Sequence, residues 1–329
     1  MDFSKLFGRF SAIKAGVIGD VMLDTYWWGD VERISPEAPV PILVLKKEKE
    51  YRMGGAANVA LNLKAMGANV SIFSVIRNDE AGQKLKDLFT AEKISTEYLL
   101  ETDHRITTSK IRIISRNQHM LRVDAEEVKD LDRDDEDMLI AAVDRYIQKE
   151  QPHVMIFEDY NKGVLTERVI HAVIKLCRDK NIVTTVDPKR KNFKKYQGVT
   201  VFKPNLKEVR EALPDIDNEI DKPTLDEIHR RLNGFLQHDI SLITLSEKGV
   251  FYHDKNASEI LPAHVRNIAD VSGAGDTVIA VASLVYAATK DTRLMAELSN
   301  LAGGIVCEEV GTVAINKEKL LQECENNIQ

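Results

Sequence analysis

Short runs rich in β-branched and apolar residues alternate with amphipathic stretches of helical period over most of the chain, and this alternation limits the fold more than any other feature. The runs at 15–19, 69–75, 153–157, 182–186 and 240–245 read as buried strands. Helical patterns at 56–66, 79–91, 134–150, 166–179, 224–237, 275–289 and 292–308 separate or follow them. Such a rhythm predicts an α/β architecture in three layers, with a mainly parallel central sheet covered by helices on both faces. Ligands of such sheets gather beyond the carboxyl ends of the strands. Two stretches break the rhythm. One is 31–51, where Pro36, Pro39 and Pro41 surround an apolar run ending at Leu45; the other is 107–124, which holds Ile111-Arg-Ile-Ile114 and Met120-Leu-Arg-Val-Asp124. No helix is written between these segments and their neighbours, so they predict a small separate β-sheet, used as a lid or a subunit contact. No repeat, low-complexity tract or long linker divides residues 1–329, which points to a single domain.

Composition narrows the partners. A hydrophobic content of 43% supports a large core, and a net charge of -7 with scattered Lys and Arg disfavours nucleic acid. Cys177, Cys307 and Cys324 have no paired spacing, so neither a disulfide framework nor a structural zinc site is expected. No apolar run approaches membrane-spanning length and the first residues lack a signal-peptide pattern, from which we expect a cytoplasmic protein.

The chemistry concentrates in Asp270-Val-Ser-Gly-Ala-Gly-Asp-Thr277, directly before an apolar helical stretch. Gly273 and Gly275 permit a sharp turn and a close backbone approach, and the free N–H groups at a helix start favour an anion, with phosphate the natural occupant. Asp276 falls in the first helical turn, where its carboxylate could take the proton of an attacking hydroxyl during phosphoryl transfer. The backbone of Gly273, Ala274 and Gly275 would stabilise charge on the transferred group. The bland alternative is a glycine turn capping a buried helix. A second glycine motif, Gly54-Gly-Ala-Ala-Asn-Val-Ala60, opens the first long helix. Glu158 and Asp159 end a strand, where paired carboxylates repel unless a ligand, metal or base compensates.

The two glycine motifs in this order resemble the signature pair of the ribokinase-like (PfkB) carbohydrate kinases, as do Phe157-Glu-Asp-Tyr160, Asn205-x-x-Glu208 and Thr244-Leu-Ser-Glu-Lys-Gly249. The resemblance runs from about residue 15 to 316 and implies the ribokinase-like three-layer fold with a β-sheet lid. Gly19-Asp-Val-Met-Leu-Asp24, Trp27-Trp-Gly29, Arg33-Ile-Ser-Pro-Glu-Ala-Pro-Val-Pro41, Ser115-Arg-Asn-Gln118 and Asp159-Tyr-Asn-Lys-Gly163 are similar to the heptose-phosphate branch of that family. That branch phosphorylates C1 of D-glycero-β-D-manno-heptose 7-phosphate on the route to ADP-heptose for lipopolysaccharide inner core. No pair of histidines has the spacing of a nucleotidyltransferase motif, so no such domain is expected here. Other ribokinase-like activities, on ribose, fructose, ketogluconate or a nucleoside, remain open, as does a sugar-phosphate sensor without turnover.

The resemblance implies a role for each candidate residue. Asp24, Gly54, Gly55 and Asn58 would meet the sugar, with Glu158 and Asp159 beside them. Lys110, Arg112, Lys162 and Lys189 are the cations expected at the far phosphate, with Arg116 and Arg122 unranked. Asn205 and Glu208, placed on successive turns of one helical face, would organise the ATP phosphates and a hydrated Mg²⁺ through Glu208. Ser246, Lys248, Gly249 and Asn300 would border the adenosine. Asp270 and Ser272 suggest a monovalent-cation site, K⁺ by analogy. Lys203 departs from the pattern, standing where relatives commonly carry a small residue, and so does Met53, where heptose kinases commonly carry Pro. Tyr26, Trp27 and Trp28 read as packing or dimer contacts, and pairing of lid sheets would give a homodimer that covers the apolar edge of 40–45.

Overall fold

The computed structural model describes residues 2–116, 118–217, 219–264 and 266–328. With elements numbered in chain order, the large sheet comprises β1 (Lys14–Gly19), β5 (Asn69–Ile76), β6 (Leu99–Glu101), β9 (Val154–Glu158), β10 (Val183–Asp187), β11 (Val201–Phe202), β12 (Ile240–Thr244), β13 (Val250–His253) and β14 (Ser258–Leu261). Their order is β14-β13-β12-β11-β10-β9-β1-β5-β6; the pairs from β12 through β6 are parallel, and β13 and β14 add an antiparallel edge. Alternation along each strand sorts the core onto two faces. Val17, Ile72 and Ile156 pack toward α2 (Ala56–Ala65), α8 (Ala274–Thr289) and α9 (Thr292–Val306). Their neighbours Ile18, Phe73 and Phe157 pack toward α4 (Arg133–Glu150), α5 (Glu167–Asp179) and α7 (Lys222–Leu236). These central strands are buried on both faces, as a parallel sheet between helical layers requires.

The second sheet holds β2 (Val21–Ile34), β3 (Pro41–Leu45), β4 (Glu50–Gly55), β7 (Ser109–Ser115) and β8 (Gln118–Ala125). β2 pairs in parallel with β7 and antiparallel with both β3 and β4, while β7 and β8 form a hairpin. The sheet expected from 31–51 and 107–124 is therefore present, but it begins ten residues earlier, at Val21. The cause is that Gly19 and Asp20 bend the chain out of the large sheet: a Cβ on Gly19 would fall 1.9 Å from the Glu158 carbonyl oxygen. Asp24 thus lies on a lid strand and not on a turn after β1. Tyr26 is fully buried, and its hydroxyl accepts from the Thr312 N–H at 3.3 Å, docking the lid onto the loop after α9. Trp28 donates to Glu50 at 3.1 Å, the packing role expected of that aromatic cluster. The central residue of Ser115-Arg-Asn-Gln118 lies outside the described residues.

Candidate active site

The register of the large sheet brings the ends of β1, β9 and β10 level, with Gly19 opposite Glu158 and Glu158 opposite Asp187. The starts of α2 and α8 arrive above them. Gly273 caps α8 with φ +79°, and a Cβ there would stand 2.8 Å from the Asn58 amide nitrogen. The turn expected from the glycine motif is present, and its glycine is required both by conformation and by the approach of Asn58. Asp276 sits in the first turn of α8, nearly inaccessible. Asn58 Nδ2 donates to one of its oxygens at 2.8 Å and the Tyr160 hydroxyl to the other at 2.7 Å. Burial pushes the carboxyl up to about 6, against those two donors; Asp187 adds to the rise. The Ala274 N–H donates to the Val271 carbonyl at 3.3 Å, so at this position the turn partly satisfies itself.

The strand-end carboxylates divide. Glu158 is buried, and neither of its oxygens has a hydrogen-bond partner. Burial, with Asp187 and Asp276 nearby, holds it well above the usual carboxylate range. Asp159 does not join it. Its carboxylate accepts from Tyr196 at 2.7 Å, from Asn192 at 3.0 Å and from the Asn161 N–H at 2.8 Å, so it anchors the loop and does not face the cleft. Successive residues at a strand end point to opposite faces, which separates the pair. Asp20 is equally structural: it accepts from the N–H groups of Tyr160, Lys162 and Val164 at 2.8, 3.1 and 3.1 Å.

Beyond the end of β10, Lys189 donates to Glu208 at 2.7 Å and to Asp187 at 3.2 Å, and the buried Lys203 reaches Asp187 at 2.8 Å. Burial alone would raise Asp187, but the two lysines outweigh it and hold the carboxyl low. Lys189 is therefore with the core charges and not at the far phosphate. A Cβ on Gly275 would lie 3.5 Å from Asp187 and 3.8 Å from the Lys203 ammonium, so this pair abuts the glycine turn itself. Asn205 and Glu208 form a reciprocal capping box at the start of α6 (Leu206–Ala212), with bonds of 2.9 and 2.8 Å. This arrangement replaces the expected placement on successive turns, because Asn205 precedes the helix. Ser246, with Lys248 in the same short turn, and Gly249 follow β12. Gly249 has φ +94° and no room for a side chain against Leu261. Asn300 donates to the Pro262 carbonyl at 2.8 Å.

On the lid side, Asp24 is buried and accepts from Arg112 at 2.5 Å, and a Cβ on Gly54 would stand 2.6 Å from the same carboxylate. Gly55 has φ +58° and faces the Asp20 carbonyl. Lys110 lies 5.4 Å from the centre of the Tyr160 ring, and burial lowers its pKa, opposed by Asp24 and assisted by Lys162. Lys162 pairs with Glu126 at 2.8 Å. Lys110, Arg112 and Lys162 thus form one cluster at the lid edge, whereas Arg116 sits in the β7–β8 turn and Arg122 pairs with Asp124 on the exposed β8. Asp270 is committed to its own loop, accepting from the Ser272 N–H and hydroxyl and from the Gly311 N–H, each at 2.9 Å. Burial opposes those donors, which nonetheless hold its carboxyl low. Among the described residues, no three His, Cys, Asp or Glu side chains are grouped to hold a metal ion. Three contributors were not singled out in the sequence as site residues: Tyr160, Asp187 and Lys203. Tyr160 stands inside two of the quoted motifs without a role, and Lys203 departs from the pattern.

Comparison with known proteins shows the family and the fold. Residues 13–319 match the model of the pfkB family carbohydrate kinases. The chain is 38% identical over 314 residues to "Bifunctional protein HldE" of Desulfatibacillum aliphaticivorans, covering 94% of this chain and 63% of that protein. It is also 38% identical over 308 residues to the protein of the same name from Aliarcobacter butzleri, covering 93% and 63%. The chain therefore spans less than two thirds of those relatives. Among solved structures, Escherichia coli phosphofructokinase-2 in complex with substrates and products superposes with a TM-score of 0.77 at 14% identity, covering 95% of this chain and 99% of that one. Arabidopsis thaliana ribokinase complexed with ribose and ATP gives 0.73 at 13%, covering 94% and 99%. The chain belongs to the pfkB family of carbohydrate kinases, and its fold is ribokinase-like. It is a phosphotransferase acting on a sugar hydroxyl, in a family that uses ATP and a divalent metal. Among the described residues, no helix is long and apolar enough to cross a membrane.

Proposed function

We propose that the chain transfers the γ-phosphoryl group of ATP to the C1 hydroxyl of D-glycero-β-D-manno-heptose 7-phosphate, giving the 1,7-bisphosphate for ADP-heptose synthesis, in the cytoplasm. The observation that carries the catalytic part is the Asp276 carboxylate, buried at the start of α8 and held by a donor on each oxygen. A base so placed accepts the C1 hydroxyl proton as the bond to phosphorus forms, when that proton becomes acidic. The turn at 273–275, with the helix start behind it, faces the charge of the transferred group, and Lys203 adds a cation beside it. Asp24, Gly54 and Asn58 fit the sugar side, where Gly54 leaves space for the Asp24 carboxylate. The cluster of Lys110, Arg112 and Lys162 supports a sugar that carries a phosphate at its far end, since a dianion is poorly held by neutral donors.

Among the described residues no three acidic side chains form a direct-ligand cluster, but Glu158, Asp187, Glu208 and Asp276 lie near enough to oppose one another's ionisation, with Lys189 and Lys203 beside them, and both oxygens of Glu158 lack a partner. That excess of acid fits a hydrated divalent cation. Glu208, whose oxygens already accept from Lys189 and the Asn205 N–H, would hold Mg²⁺ through water. When bound, the metal would neutralise charge on the phosphates. Ser246, Lys248, Gly249 and Asn300 remain the proposed adenosine border. Asp270 and Ser272 fit K⁺ less well as side-chain ligands than as the brace of the loop beside it.

We further propose a homodimer through the lid. Val44 and Leu45 of β3 and Met120, Leu121 and Val123 of β8 are exposed apolar residues on the two outer strands of one sheet, edges that a monomer rarely leaves open. A light-scattering mass near 37.1 kDa at micromolar concentration would overturn the dimer. The substrate reading is tested by ATP turnover with D-glycero-D-manno-heptose 7-phosphate beside ribose, fructose, fructose 6-phosphate and adenosine. Turnover confined to the heptose phosphate, with an acid-labile 1-phosphate product, is expected. Equal turnover of an unphosphorylated sugar would discard the heptose assignment, and silence on all of them would favour a sensor.

A further inference from the structure

The loop from β9 to α5 brings Tyr160 to a position no other side chain of the site shares. Its backbone path is fixed by Asp20, which accepts from the N–H groups of Tyr160, Lys162 and Val164. Its hydroxyl donates to Oδ1 of Asp276 at 2.7 Å while Asn58 donates to Oδ2 at 2.8 Å. Each carboxylate oxygen offers two lone pairs. One donor on each oxygen therefore fixes the rotation of the group and still leaves a lone pair able to take the proton of a third, attacking hydroxyl. The Tyr160 ring meanwhile lies 5.4 Å from the ammonium of Lys110 on the lid and 5.4 Å from that of Lys189 on the core. A single side chain thus bonds the base and lies beside one cation on each of the two sheets.

We propose that Tyr160 is a positioning residue of this kinase: its hydroxyl aims and steadies the Asp276 carboxylate, and its ring couples that carboxylate to the placement of the lid through Lys110. The proposal rests on the reading of Asp276 as the base. The phenol remains a donor throughout, because burial and the charges of Asp276, Glu158 and Asp187 strongly disfavour its ionisation. The groups acting on Asp276 are Asn58 from α2, Tyr160 from the loop, and Asp187 and Lys189 from the β10 end, with Glu158 beside them. Asn58 and Tyr160 favour its ionised form, whereas burial and Asp187 oppose it. Removing the phenol deletes one of the two supporting hydrogen bonds and leaves the opposing influences intact. The carboxyl should then need a higher pH to ionise.

The test is kcat against pH for the full chain, its Tyr160→Phe variant and its Asp276→Asn variant, with saturating ATP and the sugar that the substrate panel identifies. Phenylalanine keeps the ring and its packing. In Tyr160→Phe, kcat should fall about 10-fold or more, the scale of a hydrogen bond to a charged group. The acid limb of the profile should move to higher pH while the KM for ATP stays within about two-fold of the parent. Wild-type kcat with an unmoved limb overturns the proposal. A lower kcat with an unmoved limb also overturns it, because general loosening of the loop would give that result. Near-normal turnover in Asp276→Asn would instead remove the base reading, a failure distinct from that of Tyr160.

Discussion

The core half and the lid half of the cleft both hold charge, but they hold it differently. On the core side Glu158, Asp187, Lys203 and Asp276 are each no more than 4% exposed, and they stand on strand ends and a helix start fixed by the large sheet. Their charges are set before any substrate arrives. On the lid side Lys162 and Glu126 keep 14% and 29% of their side chains in solvent, and the outer strand β8 is exposed along its whole length. The Lys162–Glu126 pair is thus partly open to solvent, although Arg112 and Asp24 on the same side are largely buried. On the proposed mechanism the difference would be a division of labour: preorganised groups would serve the chemical step, where reorganisation at the moment of reaction is costly, and exchangeable pairs such as Lys162–Glu126 would serve recognition.

The strongest test of that division is Asp276→Asn. Asparagine is close in size, so the turn at 273–275 and the Asn58 contact should survive, and ATP and sugar should still bind. We expect kcat to fall at least ~10²-fold, the usual scale for a general base, with little change in calorimetric affinity for either substrate. Loss of binding in parallel with loss of rate would show that the core half also carries recognition, and the division would fail. The Tyr160→Phe effect should be smaller, since that substitution leaves the base in place.

What could be read from the sequence follows the same line. The glycine turn and the place of Asp276 at a helix start were legible because every part of that motif is local: two glycines, an acid and a helix start within seven residues. The central strands were legible from their apolar runs. Asp187 was not, because its place in the site depends on β10 lying next to β9, and sheet order is not written in any short string. Tyr160 stood in a quoted motif, but its contact was hidden for the same reason; its partner lies 116 residues away. Asn205 and Glu208 show a different limit. The pattern Asn-x-x-Glu specifies a helix cap in its own right, so the string does not distinguish capping from ligand binding. Asp159 was paired with Glu158 by adjacency, yet adjacency at a strand end sends two side chains to opposite faces. The lid's first strand was placed late because β2 follows β1 after only Asp20, with no turn sequence longer than Gly19-Asp20 to mark the change of sheet.

Arg112→Ala probes the lid half with a smaller expected effect on rate. Arg112 forms an ion pair with Asp24, and both side chains are largely buried, at 12% and 3% exposure. Removing the guanidinium leaves a buried carboxylate uncompensated, which typically costs about 3–5 kcal/mol when a buried pair is broken. Here the cleft can admit water once the arginine is gone, so a loss nearer the lower end, about 3 kcal/mol, is expected in denaturant unfolding. The kinetic consequence should fall on recognition. Asp24 sits against Gly54 and would lose its fixed orientation toward the sugar, and the Lys110–Lys162 cluster would lose one charge. The KM for the sugar should rise about 10-fold, equivalent to about 1.4 kcal/mol of uniform binding, while kcat stays within a few-fold of the parent. A kcat loss as deep as that of Asp276→Asn would mean that the lid arginine acts on the transition state itself. The boundary between a catalytic core and a recognising lid would then have to be drawn through β7, with Arg112 on the catalytic side.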